Sequence, residues 1–423
     1  MLNPASHCGA APADQLMAQA ARWLLWSLAA LAFYIAPYIA TVVCVGLISA
    51  ATILRRQSGN TLNAAAFALL TLAAVVPLAS KNLEPIMNDK VNYYLEMQLG
   101  SGYSLLEWLQ RFSGTDFLSH FLFKLSASLV GVNNAAFAVV FIVSFSVLAI
   151  GVYRLSRRWF VAILFLFCCQ YNFQGLYGNL LRQGLALSFL VLAVSCRRRR
   201  DMLLWIILAS LSHFSACLFL PWLLLPQRMK NVNTLTALGI FALCYLAGSM
   251  LMPKLLAVVG NDFLATRAEA YVSGDYGNDP ARKIMVTLLY IGVVECLFIF
   301  SRLRLRAASP DFSRTAGAVR LMFLYNCAIF FTTRSFAEVS NRYSFNMMIF
   351  VLIYMVLVCG QLRDDVSRTL LAILCFSLGV ASYLYINQIG VQQFWFGDLQ
   401  SLLTDSLPTV LSKLGIAGDA AAI

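Results

Sequence analysis

The stretch MLLWIILASLSHFSACLFLPWLLLP, residues 202–226, decides how this chain is laid out. Basic residues stand on both sides of it, Arg197 to Arg200 before and Arg228 with Lys230 after. Short loops rich in Lys and Arg stay on the cytoplasmic side of a membrane. A single crossing by 202–226 would put the second basic group, and each later one, on the opposite side. A segment that enters and returns keeps them all on one side. At about 1.5 Å per residue this stretch is too short for two full crossings. Two half-helices meeting near His213 satisfy both constraints, and broken helices are tolerated in a membrane where they line a polar cavity. The alternative is a single span with a buried histidine and an imperfect charge rule.

The rest of the chain follows the same pattern. Apolar residues make up 60% of the sequence and charged residues 12%. A span needs roughly 20 apolar residues, and about ten runs approach that length: 23–54, 61–80, 133–153, 159–178, 180–196, 234–252, 284–301, 317–333, 344–361 and 369–387. Two further stretches, 116–131 and 202–226, fit less well; the first, with His120 and Lys124, reads as interfacial or re-entrant. The fold class is therefore all-α: a polytopic integral membrane protein with about ten transmembrane helices plus re-entrant or broken ones. Residues 1–22 read as an outer-face segment and 23–387 as one membrane domain with external loops 81–115 and 253–283. Residues 388–423, with Trp395, read as an interfacial tail. The N-terminus lacks a basic n-region and a cleavage site, so 23–54 reads as a retained first span.

The net charge of +12 sits in the loops: Arg55-Arg56, Arg154 with Arg157-Arg158, Arg197 to Arg200, Arg302 to Arg306, and Arg363 with Arg368. That distribution is topological and speaks against nucleic-acid binding. Eleven cysteines lie mostly inside apolar runs with no CxxC pair, and three histidines do not make a rich metal site. No P-loop, dinucleotide glycine pattern, zinc motif or GxSxG is present, so neither a metal nor a cofactor is expected.

Charges that interrupt such a background are functional suspects, because an unpaired charge in lipid is costly. Following parity from loop to loop places one set at the face opposite the basic loops: Asp89, Arg182, His213, Arg334, Glu338 and Arg342. Asp89 suits a general base or a ligand for sugar hydroxyls, with Tyr93 and Tyr94 available to stack on sugars or to anchor at the interface. Arg182 opens a helix after a polar joint from Gln170, and helix N-termini and guanidinium forks both favour phosphate. Asn179 and Gln183 extend that patch. His213 could hold a phosphate or move a proton. Arg334, Glu338 and Arg342, spaced by four, share a face if one helix carries them, as an ion-pair ladder or a second phosphate site. Glu295, inside 284–301, calls for an arginine or hydroxyl partner.

At Arg182-Gln183-Gly184-Leu185-Ala186 and His213-Phe214-Ser215-Ala216 the chain resembles the EpsG-like family of Wzy-type polysaccharide polymerases. Asp89 with Tyr93, Arg182 with Ala186, the basic loop Arg197 to Arg200, and His213 follow that family's order, although Asn88 stands where the family has glycine. The resemblance implies a GT-C-like fold and a glycosyltransferase of the bacterial inner membrane with its active site facing the periplasm. Its substrate would be an undecaprenyl-diphosphate-linked oligosaccharide repeat unit of O-antigen, capsule or exopolysaccharide. It would need no cofactor, would work within membrane lipid, and would share its pathway with a flippase and a chain-length regulator. On those terms Asp89, His213 and Glu338 are catalytic candidates, and Arg182, Gln183, Asn179, Tyr93, Arg334 and Arg342 bind diphosphate or sugar. A flippase or transporter of the same lipid-linked sugars would want the arginines without a base. A membrane O-acyltransferase would want a histidine with access to cytoplasmic acyl-CoA.

Overall fold

A computed structural model describes residues 13–55, 58–80, 89–112, 116–225, 232–259, 280–304, 310–334, 337–362, 364–393 and 404–415. Among these the regular elements are all helical. In chain order they are α1 (Ala13–Ile35), α2 (Pro37–Arg55), α3 (Asn60–Ala79), α4 (Asp89–Leu99), α5 (Leu105–Phe112), α6 (Phe117–Val130), α7 (Asn134–Leu155), α8 (Phe160–Cys168), α9 (Tyr171–Gly178), α10 (Leu181–Ser195) and α11 (Arg199–Ser212). A 3-10 helix, Phe214–Leu224, follows. Then come α12 (Thr234–Val259), α13 (Pro280–Arg304), α14 (Pro310–Thr332), α15 (Ala337–Cys359), α16 (Asp365–Gln393) and α17 (Leu407–Ser412).

Seven described helices are long and apolar enough to cross a membrane: α2, α3, α7, α13, α14, α15 and α16. An eighth crossing is formed if α8 and α9, bent by 78° at their junction, count as one broken span. The chain is a polytopic helical membrane protein, and its described residues hold fewer full-length spans than its apolar runs suggest. Runs 159–178, 180–196 and 234–252 account for the difference. Run 159–178 is the bent pair. Run 180–196 becomes α10, whose 15 residues reach only about 22 Å. Run 234–252 gives only the shorter apolar stretch Thr234–Gly248 of α12 among the described residues. Run 23–54 gives one span, α2, and a separate helix before it, α1, because Pro37 lacks the amide that would continue the ladder. Residues 81–115, expected as an external loop, carry α4 and α5. Of the loop 253–283, α12 takes the residues to Val259 and α13 those from Pro280, and the rest lies outside the described residues, as do Arg228, Lys230 and Trp395.

The basic loops gather at one end of the bundle. Asn63 at the start of α3 donates to the Arg157 carbonyl at 3.2 Å, and Arg368 donates to the Leu54 carbonyl at 3.0 Å. Gly151, one turn before the end of α7, lies so close to α10 that a Cβ would stand 2.9 Å from the Leu192 amide nitrogen. Only glycine permits that approach, and it sets Arg154 beside the Arg197 loop. Arg197 in turn reaches Asp311 at 3.5 Å, which brings in the start of α14.

Residues 202–225 run out and turn back. α11 stops at Ser212, His213 is extended, and the 3-10 helix begins at Phe214. The two arms pack side by side. The return arm descends along α14 and α15: Tyr343 donates to the Ser215 carbonyl and Tyr325 to that of Leu218, each at 2.8 Å. Further down, Arg320 donates to the Val232 carbonyl at 2.9 Å. His213 thus sits at the tip, at the end of the bundle away from the basic loops. With native cysteines replaced, a cysteine at Gln110 should react with an impermeant maleimide applied to intact spheroplasts, and cysteines at Arg199 and Leu303 should not. Labelling at Leu303 without permeabilisation would overturn the common sidedness of the basic loops.

Glu295 has the partners its position demands. Arg320 grips it with two bonds, Nε to Oε1 at 2.9 Å and Nη2 to Oε2 at 2.6 Å, and Thr234 donates to Oε2 at 2.6 Å. The guanidinium also lies 3.5 Å from the centroid of the Phe298 ring. The cluster locks α12, α13 and α14 together, with both charged side chains almost fully buried. Arg320→Met leaves Glu295 charged and unpaired, a loss of about 3–5 kcal/mol. A clear drop in the thermal midpoint of the detergent-solubilised protein is expected, recovered in part by adding Glu295→Met. An unchanged midpoint in the single variant would deny the pair a structural role.

Candidate functional site

The site is built where α4, α6, α10, α15 and the tip of the hairpin converge. Its centre is Asp116, just before α6. The aspartate stands at a helix N-cap, yet its side chain makes no capping bond. The carboxylate turns instead to the hairpin and to α10. Oδ2 accepts from Arg182 Nη1 at 2.9 Å and lies 3.1 Å from His213 Nδ1. Oδ1 accepts the Phe214 backbone N–H at 2.8 Å. One turn along α6, Ser119 donates to the Ser212 carbonyl at 2.7 Å, tying the same helix to the end of α11.

Arg182 follows the polar joint of Asn179 and the short helix α9, at the second position of α10. Its Nε reaches the Tyr93 hydroxyl at 3.4 Å, and the guanidinium stands 5.4 Å from that ring's centroid. The arginine side chain remains 28% exposed, so a ligand can reach it, whereas the Asp116 side chain is 7% exposed. Arg342, on the second turn of α15, lies 3.8 Å from Asp89 at the start of α4. Gln183 is buried beneath them. Its amide nitrogen donates to the Arg342 carbonyl and to Asn346 Oδ1, fixing α10 against the first turns of α15. The Asn179 side-chain oxygen is buried without a hydrogen-bond partner among the described residues.

Burial works against a charge on Asp116, but the bonds from His213 and Phe214 and the Arg182 charge outweigh it and hold the carboxyl at about 2. Its contribution to stability is complete above the unfolded value near 3.8 and is lost only as the pH falls toward about 2. Any change in activity between pH 5 and 8 therefore comes from another group, and His213 is the side chain here that ordinarily titrates in that window. Burial pushes the Tyr93 phenol up to about 12, so it stays neutral beside the guanidinium.

Five of the residues singled out from the sequence meet here: Asp89, Tyr93, Arg182, His213 and Arg342. Gln183 and Asn179 lie just beneath or beside them. Arg334 does not share a helix with Arg342. α14 ends at Thr332 and α15 begins at Ala337, so the four-residue spacing crosses a turn rather than following one face. The Arg334 guanidinium stacks instead on Tyr245 of α12, 4.0 Å from the ring centroid. Glu338 belongs to α15 with Arg342, but its side chain lies outside the described residues. Asp116 is the residue that sequence reasoning passed over. Among the described residues no group of three or more His, Cys, Asp and Glu side chains could hold a metal ion.

The arrangement offers cations to an anion and a histidine with one ring nitrogen anchored. It stands at the heads of α6 and α10, helices of 14 and 15 residues, and on the second turn of α15. Neither a curated protein nor a solved structure matches the chain. The family model described as the EpsG family matches residues 65–396, a region that holds Asp89, Tyr93, Asp116, Arg182, His213 and Arg342. The chain belongs to the EpsG family, a membership that points to a polysaccharide polymerase-like, glycosyltransferase-type function.

Proposed function

We propose that the protein joins undecaprenyl-diphosphate-linked oligosaccharide repeat units into O-antigen, capsule or exopolysaccharide at the periplasmic face of the bacterial inner membrane. The observation that carries this reading is the pairing of two reachable arginines, Arg182 and Arg342, with His213 at the end of the bundle away from the basic loops. A lipid-linked donor suits that face, where no nucleotide sugar is supplied. It also suits a site at one end of the bundle, because a polyprenyl diphosphate carries its phosphates at the membrane surface.

In the reaction the acceptor hydroxyl oxygen bonds to the anomeric carbon of the growing chain. The bond from that carbon to the diphosphate oxygen breaks, and undecaprenyl diphosphate leaves with the electron pair. Charge builds on the departing diphosphate, so cations fixed beforehand stabilise the transition state more than the bound substrate. Arg182 and Arg342 fill that role. The acceptor proton passes to a base, and His213 Nε2 is the best placed atom, because Nδ1 is held by Asp116. Asp89 is paired with Arg342, which suits it to orient the arginine or to meet sugar hydroxyls. Tyr93 supports Arg182 from below.

A strain lacking the protein, with its flippase intact, tests the reading. Single lipid-linked repeat units should accumulate on the periplasmic side and be ligated one at a time. Units trapped on the cytoplasmic side would make the protein a flippase instead. A flippase and a chain-length regulator are the partners this reaction implies.

A further inference from the structure

We propose that Asp116 is the positioning residue of the transfer site. Its single carboxylate fixes both the imidazole tautomer that receives the acceptor's proton and the guanidinium that meets the diphosphate. This rests on the polymerase reading and adds to it the residue that makes the histidine a base.

The argument begins with donors and acceptors. An ionised carboxylate can only accept hydrogen bonds. Asp116 Oδ2 lies 3.1 Å from His213 Nδ1, so the proton of a neutral imidazole must sit on Nδ1. Nε2 is then bare and can accept. The carboxylate cannot swing away, because Arg182 holds Oδ2 and the Phe214 amide holds Oδ1. Three donors from two separate parts of the chain converge on one group. Capping α6 is not its purpose, since the side chain makes no bond to the helix it precedes. Nor does it meet substrate directly, because it is buried with both oxygens engaged.

Charge completes the case. Among the described residues, three charged groups act on His213: Asp116 before α6, Arg182 on α10 and Arg342 on α15. When the imidazole takes a proton it becomes a third cation beside two arginines. Asp116 is the anion in direct contact with it and offsets that charge during transfer. The same carboxylate, together with the Tyr93 hydroxyl, holds the Arg182 guanidinium in place before the diphosphate arrives.

Asp116→Asn preserves shape and reverses this logic. The Phe214 amide still requires an acceptor, so the asparagine oxygen faces it and the NH2 group faces His213. A donor opposite Nδ1 drives the imidazole proton to Nε2 and removes the base. The test uses full-length protein in nanodiscs with 15N-labelled histidine. The chain has three histidines, and His213→Ala identifies the relevant signal. The wild type should show His213 protonated at Nδ1, and Asp116→Asn should show Nε2. A wild-type Nε2 proton, or an unchanged tautomer in the variant, would overturn the proposal. The wild-type spectrum decides even where the variant does not fold.

Transfer between lipid-linked repeat units provides the second arm. Asp116→Asn should lower the rate by about 10²–10⁴, the usual contribution of a general base. In a His213→Ala background it should cost distinctly less than in the wild type, the part that remains being the one exerted through Arg182, because residues acting as one unit are not additive. Costs that multiply would show that Asp116 acts apart from His213 and would overturn the assignment. A wild type with the Nδ1 proton that transfers nothing would sink the polymerase reading and leave the placement of Asp116 standing.

Discussion

Arg182→Ala is expected to abolish long-chain polysaccharide while leaving the amount of protein in the membrane near normal. The arginine is the more exposed of the two ion-paired side chains at the centre of the site, so its loss removes a ligand from substrate more than a brace from the fold. Asp116 keeps its bonds to His213 and the Phe214 amide. Losing one preorganised donor to a developing anion typically costs about 10²–10³ in rate. In a polymerase that loss compounds over every added unit, so the ladder collapses to short products. Arg182→Lys should restore little. Arg182 uses Nη1 for Asp116 and Nε for Tyr93 while presenting the rest of its fork outward, and one ammonium point charge cannot serve all three directions. Polymer length on gels, against protein level by immunoblot, gives the result. A lysine variant with a near-normal ladder would show that charge at the interface is all that position supplies. Loss of the protein itself would make Arg182 a structural residue.

Much of the architecture was legible because membrane insertion imposes coarse rules. Apolar run length identified the spans, and basic-loop parity favoured a return of 202–226 near His213 over a single crossing; α11 and the 3-10 helix meet there. Parity works because one stray crossing inverts every later loop. The partner of Glu295 was anticipated from cost alone, since a carboxylate at that depth must be paired. Run length misled where a single residue interrupts the ladder. Pro37 was visible inside 23–54, but a long apolar run reads as continuous until the missing amide is counted. Arg334, Glu338 and Arg342 misled for the opposite reason. Neither proline nor glycine marks the turn between Thr332 and Ala337, so the spacing looked helical. Asp116 was missed because it heads an apolar stretch and resembles an ordinary N-cap. The usable signal was electrostatic. Arg182 opens a largely buried helix, so an arginine there needed a carboxylate at the same face. Asp116 met that requirement from 66 positions away, through a contact no local pattern encodes.

His213→Ala separates polymerisation from transport. The imidazole is nearly buried, anchored at Nδ1, and set at the tip of a hairpin whose two arms are held by other bonds: Ser119 to Ser212, Tyr343 to Ser215 and Tyr325 to Leu218. Removing the ring therefore leaves the hairpin pinned and takes away the proton acceptor. A loss of about 10²–10⁴ in transfer rate is expected, enough to erase long chains. Export of single repeat units should continue, and a strain with an active ligase should display lipopolysaccharide bearing one unit. His213→Gln presents an amide where the ring nitrogens stood and should keep the hairpin bond without restoring a base, so its ladder should match that of alanine. Partial recovery with glutamine would mean that the histidine works by hydrogen bonding, with Asp89 the next candidate for the proton. Disappearance of even the single-unit product at normal protein level would place the defect in transport. An unchanged ladder in His213→Ala would leave Arg182 and Arg342 as the working groups and the histidine as a brace for Asp116.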